Sequence, residues 1–382
     1  MPKTLVIDDD PETEARLRSH IERADSRFDG QFTFADSNEE ALEYLTSGAD
    51  FDIALVAIDS AAITGMGLFA QLENRSFRLP RVALSTGADL PCIREAMIAG
   101  ASDFLLKPVA FDDFISTIDR VTKEVEIRRQ NWRERSEYSA LRREVDIAAD
   151  MQRRILPRRF PERPGFDVFA KVKPAKEMGG DFYDVFEIDD NRIGIVIADV
   201  AGKGIPAAFY MAVARTLIRS VAMTGVGPAK CLEQVNSLLF AHEFPGMFVS
   251  VFYGEVDTSQ WHITYANGGH NPPFLGSAET GDMERLEGGE GTILGIQDSL
   301  PYEEDEVVLS AGDCLYLYTD GMTEAFDEER VPFTEQRLQE CLARNSGVPA
   351  ESLAASVEQA IKQFVGDAEQ NDDMTSLVVR RT

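Results

Sequence analysis

At 382 residues and 44% hydrophobic content, the chain can fill two cores and still supply a connector. A formal charge of −28 argues against nucleic acid or an anionic membrane as the principal partner, because both are polyanions and binding either needs a basic face. The four cysteines, Cys92, Cys231, Cys314 and Cys341, lie far apart with no C-x-x-C pair, so core thiols are expected in place of a disulfide framework or a zinc site. The start "MPKTLVIDDD" lacks a signal-peptide pattern, and no apolar run approaches the roughly 20 residues needed to cross a bilayer, so a cytoplasmic protein is expected.

Along residues 1–120, short apolar segments ("TLVIDDD", "QFTFADS", "DIALVAID", "RVALSTG", "DFLLKP") alternate with helix-patterned stretches such as "NEEALEYLTSG". This alternation predicts an α/β doubly wound domain, a parallel sheet covered by helices, with any site at the carboxyl ends of the strands. Those ends carry Asp8, Asp9, Ser85 and Lys107. The segment resembles the response-regulator receiver family. The resemblance implies that Asp8 and Asp9 hold Mg²⁺, that Ser85 is the switch hydroxyl and that Lys107, before Pro108, contacts a phosphoryl group. A histidine kinase or another regulator would then act on this domain.

The phospho-acceptor is missing. The family's spacing from Phe51 and Asp52, or back from Ser85 and Lys107, puts the acceptor at Ala57. Asp59, two residues on, would be displaced by about 6.6 Å along a strand, too far to share a metal held at about 2.1 Å. Asp59 is therefore expected to be a loop residue or helix cap. Either the domain is regulated without Asp phosphorylation, or Ala57 is an Asp→Ala substitution; both readings stay open at this stage.

Residues 121–160 are rich in helix formers, carry both charge signs and contain no Gly or Pro before Pro157. Apolar residues recur at three-and-four spacing through Tyr138, Leu141, Val145 and Ala148, with a polar interruption around Arg128–Arg135. A helical linker that pairs with its copy in a coiled-coil homodimer is expected.

In residues 161–382, four acidic motifs fall at strand ends or loops: "GGDFYD" (179–184), "IADVAGKG" (197–204), "YTDGMTEA" (318–325) and "NDDMTSLVV" (371–379). Several carboxylates buried together are costly unless cations compensate them. Oxygen donors without a His or Cys cluster select hard ions, Mg²⁺ or Mn²⁺, and two such ions suit attack of an activated water on phosphorus. "GKG" lacks Walker spacing and reads as a turn. His270, in "NGGHNPP", is either a proton donor or part of a structural turn.

These motifs, with "NGGHNPP" and "GTILGI", resemble the metal-dependent protein phosphatase family (PPM), in its stage II sporulation phosphatase type, over residues 141–382. The resemblance implies an α+β sandwich of two antiparallel sheets flanked by helices, with two Mn²⁺ or Mg²⁺ ions at one edge. It implies that Asp181, Asp199, Asp320 and Asp372 act catalytically through those metals. Asp181 would bind one ion, Asp199 bridge both and the Val200 carbonyl complete the first site. Asp320 and Asp372 would bind the second; the choice of Asp372 over Asp373 follows the family pattern, and Asp184 is expected to be structural. The implied activity is a protein serine/threonine phosphatase acting on a phosphorylated STAS-type anti-sigma-factor antagonist in a partner-switching pathway. The alternative is a non-catalytic adaptor that binds a sigma or anti-sigma factor.

Overall fold

The computed structural model describes residues 2–24, 32–47, 50–60, 63, 67–69, 79–87, 90–242 and 244–382; the Cys92 side chain lies outside the described set. The chain divides into two compact units, Met1–Leu141 and Arg142–Thr382.

The first unit is built on five parallel strands, β1 (Thr4–Ile7), β2 (Phe32–Ala35), β3 (Ile53–Ala57), β4 (Arg81–Ser85) and β5 (Asp103–Leu106), in the order β2-β1-β3-β4-β5. The central strands are continuous apolar runs because both their faces are covered: every residue of β1 and β3 is buried. Separate apolar clusters fill the two sides of the sheet. Strand order reverses between β1 and β3, which opens the crevice at their carboxyl ends. Helix α1 (Pro11–Arg23) starts at that edge because the Asp10 side chain accepts from the Glu12 N–H as its cap. Among the described residues, helices α2 (Asn38–Thr46) and α3 (Leu90–Ile98) add to the cover.

Helix α4 (Phe111–Ile155) runs for 45 residues, so the last receiver helix and the linker are one element. Its first turns bury Phe114, Ile118, Val121 and Val125 in the receiver core. The polar stretch does not interrupt the helix: it contains no breaker, and i,i+4 pairs such as Arg128 with Glu124 and Gln130 with Glu134 support it. Through the middle, Ile127, Trp132, Tyr138 and Leu141 are exposed.

The second unit holds two sheets. One is ordered β13-β10-β9-β8-β7, from β7 (Phe182–Glu187), β8 (Arg192–Val200), β9 (Val249–Asp257), β10 (His262–Gly268) and β13 (Glu290–Gly291), with β14 (Asp305–Val308) also on β10. The other is ordered β12-β11-β15-β16-β6, from β6 (Phe166–Lys173), β11 (Phe274–Gly276), β12 (Met283–Arg285), β15 (Cys314–Tyr318) and β16 (Met374–Arg381). Every pairing is antiparallel except the short β10–β13 contact.

The two-residue side-chain period decides which face each strand residue serves. Leu315, Leu317, Leu377 and Val379 join the core that includes the first sheet, whereas Tyr316, Tyr318 and Val378 turn to the opposite side. There they meet α8 (Glu335–Arg344) and α9 (Ala350–Val365). The first sheet carries α5 (Ile205–Ala222) and α6 (Pro228–Ala241). Cys231, Cys314 and Cys341 are free and buried, as their spacing suggests.

Candidate metal centre and receiver pocket

Antiparallel pairing gathers the four acidic motifs at one edge of the second unit. Asp181 immediately precedes β7, Asp199 is the penultimate residue of β8, Asp320 opens the short helix α7 (Asp320–Thr323) after β15, and Asp372 precedes β16. In-register pairs Phe182 with Ala198 and Tyr318 with Ser376 bring these ends together.

Asp181 is buried and accepts hydrogen bonds at one carboxyl oxygen from the Thr319 and Thr375 hydroxyls, both 2.7 Å away. Its carboxyl is held well above the ordinary carboxylate range, first by burial and then by the charge of Asp199. Asp199 is raised as well, by burial and then by the charge of Asp320. Carboxyls raised in this way by burial and by one another's charge are relieved either by a proton or by a cation. Asp320 is raised by burial, then by Glu324 and Asp372. Among the described residues, no three His, Cys, Asp or Glu side chains converge into a closed metal cage. The carboxylates are neighbours in one acidic edge, and their oxygen donors and mutual repulsion fit hard divalent cations.

The adjacent pair "DD" separates into two roles. Asp373 is buried, and its carboxylate accepts from the backbone N–H groups of Ala175 (2.8 Å), Gly180 (2.7 Å) and Asp181 (3.4 Å). It is committed to holding the "GGD" loop. Asp372 is partly exposed, lies within electrostatic reach of Asp199 and Asp320, and pairs with Lys203 at 2.9 Å. The glycines of the loop follow from this packing: a Cβ at Gly179 would fall 2.0 Å from an Asp373 oxygen, and one at Gly180 would fall 2.7 Å from the Val200 carbonyl oxygen. The second distance also places that carbonyl against the loop carrying Asp181.

Asp184 is structural: it is buried and paired with Arg215 (2.8 Å) and Arg219 (3.3 Å) on α5. His270 belongs to the turn. Its Nε2 donates to the Tyr318 carbonyl (3.1 Å), its Nδ1 accepts from the Ser250 hydroxyl (2.9 Å), and Asn267 closes the loop around its backbone. Burial pushes its pKa down to about 4, so it is neutral and both ring nitrogens are engaged. This arrangement favours the turn over the proton donor.

Thr319, Thr375 and Gln152 were not singled out by sequence reasoning, and Asp373 was weighed there only as an alternative metal ligand. The threonines stand beside the motif aspartates in "YTDG" and "DDMT", and that adjacency was the available signal. Gln152, near the end of α4, carried none: its side chain donates to the Gly179 carbonyl (2.6 Å) and accepts from the Gly179 N–H (3.3 Å). Ala149 packs with Met178 and Ala208 alongside.

In the receiver unit, Ala57 is fully buried at the end of β3 and offers no acceptor oxygen. Lys107 turns to Asp8 instead: its ammonium donates to Oδ1 at 2.8 Å and makes an ion-pair contact with Oδ2 at 2.6 Å, both side chains being buried. The lysine thus already supplies a cation to Asp8, while Asp9 is exposed. Asp59 lies in the loop after β3. Its carboxylate accepts from the Ser85 hydroxyl (3.2 Å) and from the Thr86 N–H and hydroxyl, tying the loop after β3 to the end of β4. Burial raises the Asp59 pKa, but the Thr86 and Ser85 hydrogen bonds outweigh it and leave the carboxyl below its ordinary value.

Residues 189–382 match the family described as stage II sporulation protein E (SpoIIE), and residues 4–119 match the response regulator receiver domain. Phosphoserine phosphatase RsbU of Bacillus subtilis is 32% identical over 242 residues, spanning 63% of this chain and 71% of its own length. The SiaA-PP2C domain of Pseudomonas aeruginosa superposes with a TM-score of 0.57 at 25% identity, covering 65% of this chain and 98% of that one. The RsbU and RsbW domains of Rv1364c from Mycobacterium tuberculosis superpose at 0.52 with 27% identity, covering 58% and 61%. With half of its length in that match and its fold and acidic edge in agreement, the chain belongs to the SpoIIE family of PPM-type protein serine/threonine phosphatases, carried behind a response-regulator receiver domain.

Proposed function

We propose that the second unit hydrolyses phosphoserine or phosphothreonine in a protein, with two Mn²⁺ or Mg²⁺ ions held by Asp181, Asp199, Asp320, Asp372 and the Val200 carbonyl. The observation carrying this reading is the buried Asp181, fixed by the Thr319 and Thr375 hydroxyls, at an edge where its charge and those of Asp199, Asp320 and Asp372 act on one another. When bound, the ions supply a water of lowered pKa as nucleophile and neutralise charge developing on the phosphoryl oxygens. The chain's own residues fix the geometry: Thr319 and Thr375 orient Asp181, Asp373 clamps the loop that carries it, and His270 ties the end of β15, two residues before Asp320, to the turn after β10. Because the motif aspartates are all in place, catalysis is favoured over the adaptor reading.

The named activity of RsbU, and the RsbU and RsbW domains joined in the mycobacterial structure, support a substrate in a partner-switching pathway, an anti-sigma-factor antagonist of the STAS type. No described helix is long and apolar enough to cross a membrane, in keeping with action in the cytoplasm. The exposed Tyr138 and Leu141 on α4 support a homodimer through the linker. Ala57 leaves the receiver without a phosphorylatable side chain at its central position, so its control would run through partner or dimer contacts. The test is hydrolysis of a phosphoserine protein in Mn²⁺ by the wild type, beside Asp199→Asn and chelator controls. Activity that survives both would refute the metal-held site, and none with any phosphoprotein would favour the adaptor.

A further inference from the structure

Lys203 brings a positive charge to the acidic cluster. It sits in the turn between β8 and α5, four residues after Asp199. Its ammonium donates to the Asn371 carbonyl (2.5 Å) and pairs with the Asp372 carboxylate (2.9 Å), and its charge also reaches Asp320. The pair is not locked in a core: the lysine and aspartate side chains are 38% and 33% exposed. On either side, Gly202 and Gly204 have φ of +96° and +78°, and a Cβ on either would meet nothing within 4 Å. The lysine therefore lies on a turn of two positive-φ glycines whose front is open, at the rim of the site.

A lysine on Asp372 has two consequences. It supplies part of the compensation that the carboxylates need, so it competes with any divalent cation for that oxygen. With a cation on Asp372, the ammonium would keep the Asn371 carbonyl but lose its charged partner, leaving donors free on a flexible stem at the rim. The incoming group is a phosphate monoester carrying close to two negative charges. From this geometry, and resting on the phosphatase reading above, we infer that Lys203 is the phosphoryl-recognition residue of the site. Asp372 holds it at the rim, and a divalent cation on Asp372 would leave the ammonium to the phosphoryl oxygens of the substrate. Lys203 then serves both as a gate on metal entry and as a substrate contact, two roles with opposite signs.

The opposite signs make the test selective. In calorimetry on the full chain stripped of metal, Lys203→Met should bind Mn²⁺ about twofold to fivefold more tightly than the wild type, the worth of one half-exposed ion pair. With Mn²⁺ saturating, the same variant should bind inorganic phosphate roughly tenfold more weakly, the loss expected for a charge-assisted hydrogen bond. On a phosphoserine peptide its KM should rise more than its kcat falls. Lys203→Arg, which keeps the charge, should restore most of the phosphate affinity and shows that the effect is not misfolding. Phosphate affinity within twofold of wild type in Lys203→Met, or weaker Mn²⁺ binding, would overturn the inference. If the wild type hydrolysed no phosphoester while Lys203→Met still weakened phosphate binding, the Lys203 assignment would stand and the hydrolase reading would fall.

Discussion

Replacing Asp373 by alanine removes the acceptor for three backbone N–H groups in the loop that presents Asp181. Two of those bonds are short, at 2.7 and 2.8 Å, and the third is long at 3.4 Å. A hydrogen bond to a charged group contributes about 1.5–3 kcal/mol, and a buried donor left unpaired incurs its desolvation penalty. Two good bonds and one weak one therefore predict a loss of about 3–5 kcal/mol for Asp373→Ala. Asp372→Ala gives up a partly exposed pair with Lys203, worth about 0–1 kcal/mol, and a hydrogen bond from the Asp373 N–H (2.9 Å), worth about 1 kcal/mol, while removing a proposed metal ligand. Urea unfolding of metal-stripped protein separates the two variants. Trp261 is buried in the second unit and reports its unfolding, whereas Trp132 is 72% exposed. The expected pattern is a large stability loss for Asp373→Ala, and a smaller loss of about 1–2 kcal/mol with no response to Mn²⁺ for Asp372→Ala. Variants that differ by less than about 1 kcal/mol would refute the division of labour, since even one charge-assisted bond exceeds that.

Other outcomes follow from the same geometry. His270 is neutral in the folded chain, with its pKa near 4 against an ordinary 6.5. Its contribution is thus fully present above about pH 6.5 and is lost as pH falls towards 4, up to about 3 kcal/mol in total; the stability difference between wild type and His270→Asn should shrink over that window, and a constant difference would contradict it. Leu141→Glu with Tyr138→Glu should convert a dimer to monomer in sedimentation, while a wild type that is strictly monomeric at micromolar concentration would remove the linker dimer. Acetyl phosphate with Mg²⁺ should leave the intact mass unchanged; a gain of about 80 Da mapped to Asp59 would show that its contacts with Ser85 and Thr86 do not occupy it. Gly179→Ala should disrupt the loop, because its Cβ would overlap the Asp373 carboxylate, and it should lower both stability and Mn²⁺ response.

The sequence alone was enough for the parallel receiver sheet, the sandwich strands and the family, because these rest on local periodicity and on motifs whose residues are contiguous. "RIGIVIADV" and "CLYLYTDG" read as strands ending in carboxylates, and they are. The place of Ala57 at the end of β3 was equally legible, since the strand pattern alone locates it. Roles that depend on what lies opposite were not legible. Asp372 and Asp373 are adjacent and chemically identical, and only the packing of the "GGD" loop against β16 turns one into a backbone clamp and leaves the other at the acidic edge. Asp59 became a tie to Ser85 and Thr86, His270 a neutral strut and Gln152 a brace on Gly179 for the same reason. A side chain's protonation and partners are set by burial and by groups distant in sequence, from 20 residues between Ser250 and His270 to 193 between Gly180 and Asp373, and no window along the chain contains both.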